Sequence, residues 1–281
     1  MTGDPGTGKT LLLYDIARDC ADNWKCCLVH CGVLTSGHTE LSLKIANLDI
    51  VSAKEISSTF NFSQYKYVFI DESHRFYKSQ FEIVVKKTIE QNLWTVFSYD
   101  KNQTLSKAER KADIATAISK LPNYSEFKLS NKVRSNPEIA SFIRKLMNLH
   151  AGESFECYPS VDIRYARDEE EAKLFINEFK RLKYTFINYT SSRYCRCSHD
   201  VYRSLYNTHY VIGQEFDNVL MVMDNIFNYN SEGKLVGKEH PNPDYIYRQL
   251  LFQGLTRVRE KLAIVVVRND ELFSNILTIL N

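Results

Sequence analysis

No stretch of the 281 residues comes near the roughly 20 consecutive apolar positions that a membrane-spanning helix needs, so no membrane partner is expected. A basic segment followed by an apolar one is also missing at the start, where a glycine-rich segment begins at Gly3. No secretory signal is read there, and a cytoplasmic setting is the expectation. A disulfide framework is lacking too, because the cysteines number seven and are scattered from Cys20 to Cys197, as suits reduced thiols. Cys195, Cys197 and His199 lie close together, but no second ligand pair follows at the spacing of a zinc site, which favours ordinary thiols on a loop. Charge of one sign is scarce: 36 Lys and Arg face 34 Asp and Glu, and a net charge of +2 does not announce a nucleic-acid surface by itself. No internal repeat is visible.

What the chain does contain is the composition of a globular enzyme, 44% hydrophobic, 12% aromatic and 25% charged, at a length that lets two domains each bury a core. Apolar residues at Leu11, Leu12, Ile16 and Ala17 have helical spacing, and residues 26–30 and 67–70 read as short buried strands. Helical periodicity over 81–89, a strand over 94–98 and a helix over 109–118 follow. Asn136 and Pro137 form a helix start, since proline at the first helical position gives up an N–H that has no partner anyway. Beyond a break at 150–160 the alternation resumes: strand 161–165, helix 169–180, strands 184–189 and 219–223, helix 247–256, strand 262–267 and helix 271–280. The polar, glycine- and proline-bearing segment 225–244 reads as an inserted loop. Such alternation implies parallel sheets flanked by helices, in two α/β domains over 1–135 and 136–281, with the boundary between Leu129 and Ser160.

Gly3-Asp4-Pro5-Gly6-Thr7-Gly8-Lys9-Thr10 fits G-x-x-x-x-G-K-[ST] in full and runs into a helix through Leu11. Glycines let backbone N–H groups curl around a phosphate, and the helix N-terminus adds favourable dipole charge. Lys9 is expected to reach the β- and γ-phosphates of ATP, and Thr10 to ligate Mg²⁺. The strand that ordinarily enters such a loop would precede Met1, so either the chain begins late or another segment completes the sheet; a truncated start is the expectation. Val68-Phe69-Ile70-Asp71-Glu72 is an apolar strand ending in two acids. Asp71 can hold Mg²⁺ through its water shell and Glu72 can act as general base on the attacking water. His74 and Arg75 read either as solvated loop residues or as coupling residues.

Asp71-Glu72-Ser73-His74 and four later segments together resemble the motif series of superfamily 1 DNA and RNA helicases. Residues 94–103, ending in Asp100-Lys101-Asn102-Gln103, are similar to the family's third motif, which implies that Gln103 senses the γ-phosphate. Leu129-Ser130-Asn131-Lys132-Val133-Arg134-Ser135 resembles its Asn-Tyr-Arg-Ser motif with Val133 in place of Tyr, making Arg134 a first arginine finger. Residues 208–217 resemble the fifth motif; Gly213 and Glu215 keep its nucleotide-side pattern while Ile212 replaces a Lys. Leu255-Thr256-Arg257-Val258-Arg259 resembles the sixth, with Arg257 as the second finger and Arg259 in a structural ion pair. Taken singly, Arg134, Arg257, Gln103 and Glu215 are ordinary surface or turn residues; the order of the set gives them their meaning.

Within that family the chain is similar to compact bacterial proteins related to the helicase-like region of group 3 schlafen proteins. The segments 100–128 and 190–207 are too short for the insertion domains of processive members. The resemblance implies two tandem RecA-like P-loop NTPase lobes with mostly parallel sheets, ATP held between them, and ATP hydrolysis coupled to single-stranded DNA or RNA. His38, Thr39, Tyr99, Lys101, His209 and Tyr210 are candidate strand contacts, since single strands are held by basic groups and stacking; for each, a core or solvated role is the alternative. The rival expectation is a regulatory ATPase switch acting on a fused or partner effector domain without translocation.

Overall fold

The computed structural model describes residues 1–3, 6–101, 103–129, 136–152, 155, 157–192, 196–238 and 245–280. The chain divides into two compact units, Met1–Thr104 with Ala108–Val133, and Leu105–Lys107 with Arg134–Asn281. Both are α/β. No helix among the described residues is long and apolar enough to cross a membrane.

In unit 1 the order is β1 (Thr2–Gly3), α1 (Lys9–Ala21), β2 (Cys26–His30), α2 (Ser36–Lys44), β3 (Leu48–Ser52), β4 (Tyr67–Asp71), α3 (Lys78–Glu90), β5 (Trp94–Phe97), α4 (Lys107–Ala112), α5 (Ile114–Ser119) and β6 (Lys128–Leu129). Strands β3, β2, β4 and β5 lie side by side in that order, all parallel. Successive strand residues point to opposite faces. Cys26 and Leu28 therefore pack with Leu13, Ala17 and Ala21 of α1, while Cys27 and Val29 pack with Phe62, Phe76, Phe81 and Val84. A sheet buried on both faces explains why β2 and β4 read as unbroken apolar runs.

The strand that enters the glycine loop is the short β1. It pairs in parallel with β6, Thr2 bridges Tyr99, and the Met1 amino group donates to Phe97 O at 2.7 Å. The helix read over 109–118 is two helices, because Asp113 adopts a left-handed conformation (φ 42°) and its side chain caps α5 by accepting from Thr116 N–H. Helix α2 and strand β3 carry weak periodicity and were not legible; α2 buries no residue at all.

Unit 2 runs α6 (Pro137–Met147), β7 (Val161–Ala166), α7 (Glu169–Arg181), β8 (Thr185–Asn188), β9 (Tyr206–Asn207), β10 (Phe216–Met223), β11 (Phe227–Tyr229), β12 (Leu235–Gly237), α8 (Tyr247–Leu255), β13 (Val258–Val267) and α9 (Asp270–Leu280). Its parallel sheet has the order β7-β13-β10-β8-β9. Along β13, Leu262, Ile264 and Val266 join one core with residues of α6, α8 and α9, and Ala263, Val265 and Val267 join another with Ala172, Ile176 and Phe179 of α7. Asn136 caps α6 as read, its side chain accepting from Glu138 N–H at 3.1 Å with Pro137 in the first turn. The segment 225–244 is more than a loop: β11 and β12 form an antiparallel hairpin inside it, with Phe227 and Leu235 in the core.

Candidate nucleotide site

The glycine loop is built where side chains do not fit or where space must stay open. A Cβ on Gly3 would stand 2.6 Å from Thr7 Oγ1 and 2.8 Å from the Leu129 carbonyl oxygen. Gly8 is left-handed (φ 83°), and nothing lies within 4 Å of where its Cβ would be, leaving the N-terminus of α1 open. Gly8 gives that helix no side-chain cap and its first turn holds no acid, so the positive dipole end faces an anion unopposed by an acidic side chain of that turn. Lys9 is buried; its Nζ donates to Gly3 O at 2.7 Å and lies 3.7 Å from Asp100 Oδ2. Leu11, by contrast, is exposed on the outer side of α1. Asp4 and Pro5 lie outside the described residues.

Strand β4 delivers Asp71 and Glu72 to the same end of the sheet. Asp71 Oδ1 accepts from Glu72 N–H at 3.0 Å and from Thr10 Oγ1 at 3.4 Å, while Oδ2, although buried, accepts no hydrogen bond among the described residues. Hard oxygens from Thr10 and Asp71 with acceptor capacity to spare are the donor set that Mg²⁺ takes, so the residues fit the ion. Glu72 is left-handed (φ 54°), a conformation that costs a non-glycine residue about 1 kcal/mol or more and tends to sit at functional sites. Its Oε2 accepts from Arg75 Nε at 3.0 Å and faces His74 Nε2 at 3.4 Å. His74 and Arg75 are thus buried members of the cluster and not solvated loop residues. Burial first, then the Arg75 charge, pushes the His74 imidazole down to about 3, with Glu72 acting against them. The ring is neutral at pH 7, and its Nδ1 accepts from Asp100 N–H at 3.2 Å. Arg75 also reaches Glu109 at 3.6 Å, an ion pair that no motif announced. Gln103 is buried, its N–H donates to Asp100 O at 3.4 Å, and its Nε2 has no hydrogen-bond partner among the described residues.

Unit 2 assembles its own motif residues. Gly213 is left-handed (φ 78°) ahead of Glu215, and Phe216 N–H donates to Arg257 O at 2.9 Å, which ties the fifth-motif segment to the sixth. Arg257 is 4% exposed and one guanidinium nitrogen reaches Thr256 Oγ1 at 3.4 Å. Arg259 pairs with Asp217 at 3.6 Å on the surface, as the motif reading has it. Ile212, in the lysine position, is buried. Arg134, the other finger candidate, lies outside the described residues together with Val133 and Cys195.

Among the candidate strand contacts, Tyr99 is a correction: it is fully buried, its hydroxyl 3.0 Å from that of Tyr124. His38 is engaged as the cap of α2, accepting from Thr35 N–H at 3.0 Å, and His209 Nδ1 is 2.7 Å from Thr190 Oγ1. Thr39, Lys101 and Tyr210 are exposed. His30, at the end of β2, belongs to the cluster and was missed. The signal that could have found it is its place as a polar residue ending an apolar strand, because ligands of open parallel sheets gather at the carboxyl ends of strands. Among the described residues no group of His, Cys, Asp and Glu forms a ready metal cluster, and Cys197 Sγ stands 2.5 Å from the Tyr247 hydroxyl.

Residues 1–188 match the family described as Schlafen group 3, DNA/RNA helicase domain. No curated protein sequence matches the chain. Among solved structures it is similar to arterivirus nonstructural protein 10, a helicase in complex with DNA, at 15% identity and a TM-score of 0.49, over 98% of this chain and 61% of that one. It is similar also to Bacteroides Pif1 bound to ssDNA, at 10% identity and a TM-score of 0.47, over 94% and 87% of the two chains. Bacteroides sp Pif1 in complex with ADP-AlF4 matches at 11% identity and a TM-score of 0.44, over 99% and 91%.

Proposed function

The chain belongs to the schlafen group 3 DNA/RNA helicase domain family, and from that membership we propose that it binds ATP with Mg²⁺, hydrolyses it, and couples the cycle to single-stranded DNA or RNA. The reading rests on one observation. Lys9, Thr10, Asp71, Glu72, Asp100 and Gln103 come from separate stretches of sequence and meet in unit 1 through contacts of 3.0 to 3.7 Å.

Gly3, Gly6, Thr7, Gly8 and the first turn of α1 receive the phosphates through backbone N–H groups, and Lys9 supplies positive charge beside them. Thr10 and Asp71 would hold Mg²⁺, which supplies neutralisation of phosphate charge when bound. Glu72 takes the proton of the water that attacks the γ-phosphorus, and ADP is the leaving group. By the family resemblance Gln103 contacts the γ-phosphate, Gly213 and Glu215 serve the nucleotide, and Arg134 and Arg257 neutralise charge in the transition state.

A second reading, a regulatory ATPase switch that works without translocation, draws support from the Glu72–Arg75 contact of 3.0 Å. That pair holds the carboxylate assigned to the attacking water, so turnover would wait on whatever loosens it. One experiment separates the two. Phosphate release is measured with and without single-stranded DNA and RNA polymers at two salt concentrations. Stimulation that fades as salt rises supports coupling to a strand, because phosphate contacts weaken with salt. Release that strands leave unchanged supports the switch, and an absence of release with or without strands contradicts the strand-coupled reading.

A further inference from the structure

Strands β2 and β4 are paired in parallel so that His30 and Asp71 are register partners at the carboxyl ends of their strands. Register partners project from the same face of a sheet, so the topology itself brings the imidazole beside the carboxylate. His30 is 0% exposed, and its Nδ1 lies 3.4 Å from Asp71 Oδ2. Among the described residues neither ring nitrogen of His30, nor Asp71 Oδ2, makes a hydrogen bond, whether to each other or to any other group. The other carboxylate oxygen is already fixed by Glu72 N–H and Thr10. The ring of His38 backs that of His30 at 4.5 Å, and Thr35 N–H holds His38 in place. A buried imidazole with no partner is costly where a leucine would pack as well, which points to a polar task at this position.

We propose that His30 is a positioning residue for Asp71: its Nδ1, 3.4 Å from Oδ2, closes to a hydrogen bond on that oxygen when hydrated Mg²⁺ is taken up, so that the carboxylate meets the ion in a single orientation. This deepens the nucleotide reading above and rests on it. Groups that orient a metal-ligating carboxylate are commonly worth about 10- to 100-fold in metal affinity.

The test uses the full chain, with Mg²⁺ titrated against a saturating, non-hydrolysed ATP analogue and the thermal midpoint as readout. The side-chain amide nitrogen of Asn falls near imidazole Nδ1, and that of Gln near Nε2. His30→Asn should therefore keep the Mg²⁺ half-point within about twofold, whereas His30→Gln should raise it about tenfold, each half-point taken relative to that variant's own Mg²⁺-free midpoint. A role as mere polar filler would treat the two amides alike. Equal half-points for Asn and Gln would overturn the assignment. Should His30→Gln fail to fold, His38→Ala, which removes the ring behind His30, is measured instead and should raise the half-point severalfold; an unchanged half-point there would overturn it too. An unsubstituted chain whose midpoint ignores both nucleotide and Mg²⁺ would overturn the nucleotide reading itself, and this assignment with it.

Discussion

Units 1 and 2 share a plan, a parallel sheet with helices on both faces, yet they bury polar groups in different ways. In unit 1 the buried polar side chains crowd one end of the sheet: Lys9, His30, Asp71, Glu72, His74, Arg75, Asp100 and Gln103. Several of their atoms, Asp71 Oδ2 and Gln103 Nε2 among them, accept or donate no hydrogen bond in the described structure. In unit 2 buried polar groups are spread out; His199 and Gln253 keep atoms without a hydrogen-bond partner among the described residues, but others serve the backbone. Glu138 accepts from Ser160 N–H at 2.8 Å, Asn188 donates to the carbonyls of His199 and Tyr202, and Tyr189 donates to Val222 O. Buried charge tied to the backbone is framework, whereas charge gathered at strand ends with capacity left over is chemistry in waiting.

The sharpest way to break that contrast is Arg257→Ala. If unit 2 supplies only framework, the change leaves turnover intact. The motif assignment expects a fall in kcat of about 10³-fold or more, with nucleotide affinity nearly unchanged, read by phosphate release beside a fluorescent-nucleotide titration. Next in size is Lys9→Ala in unit 1, which should weaken Mg²⁺–nucleotide binding about 100-fold in the same titration; a Lys–phosphate contact that lost nothing would leave the loop without its main cation.

How much of this was legible follows from what each residue must do. The glycine loop, the apolar strand ending in Asp71 and Glu72, and the cap at Asn136 are local devices, so their chemistry is written in consecutive residues. Arg75 is different. Its partners Glu72 and Glu109 are 3 and 34 positions away, and only the folded chain brings the second within 3.6 Å. His30 is likewise set by the register between strands 41 residues apart, and a single strand's pattern does not carry register. The hairpin of β11 and β12 was hidden because its strands are three residues each and its surroundings polar.

The contrast can be sharpened by acid. His74 has its folded-state pKa depressed to about 3, so the unfolded chain binds a proton that the folded chain refuses. Stability from this group is intact above pH 6.5 and is lost as pH falls from there toward 3; by pH 5 the loss is about 2 kcal/mol. Chemical denaturation at pH 7 and pH 5 should show that loss in the unsubstituted chain and a smaller one in His74→Asn. The smallest effect belongs to unit 2, where Asn136→Ala removes the α6 cap and should cost about 1 kcal/mol by the same measurement, without moving kcat.

The most direct test is phosphate release by Glu72→Gln beside the unsubstituted chain, both saturated with ATP and Mg²⁺. The account predicts turnover in the unsubstituted chain and a loss of about 10²- to 10⁴-fold in the variant at nearly unchanged nucleotide affinity. Equal turnover in the two would contradict it, because the carboxylate assigned to the attacking water would then have no part in the reaction.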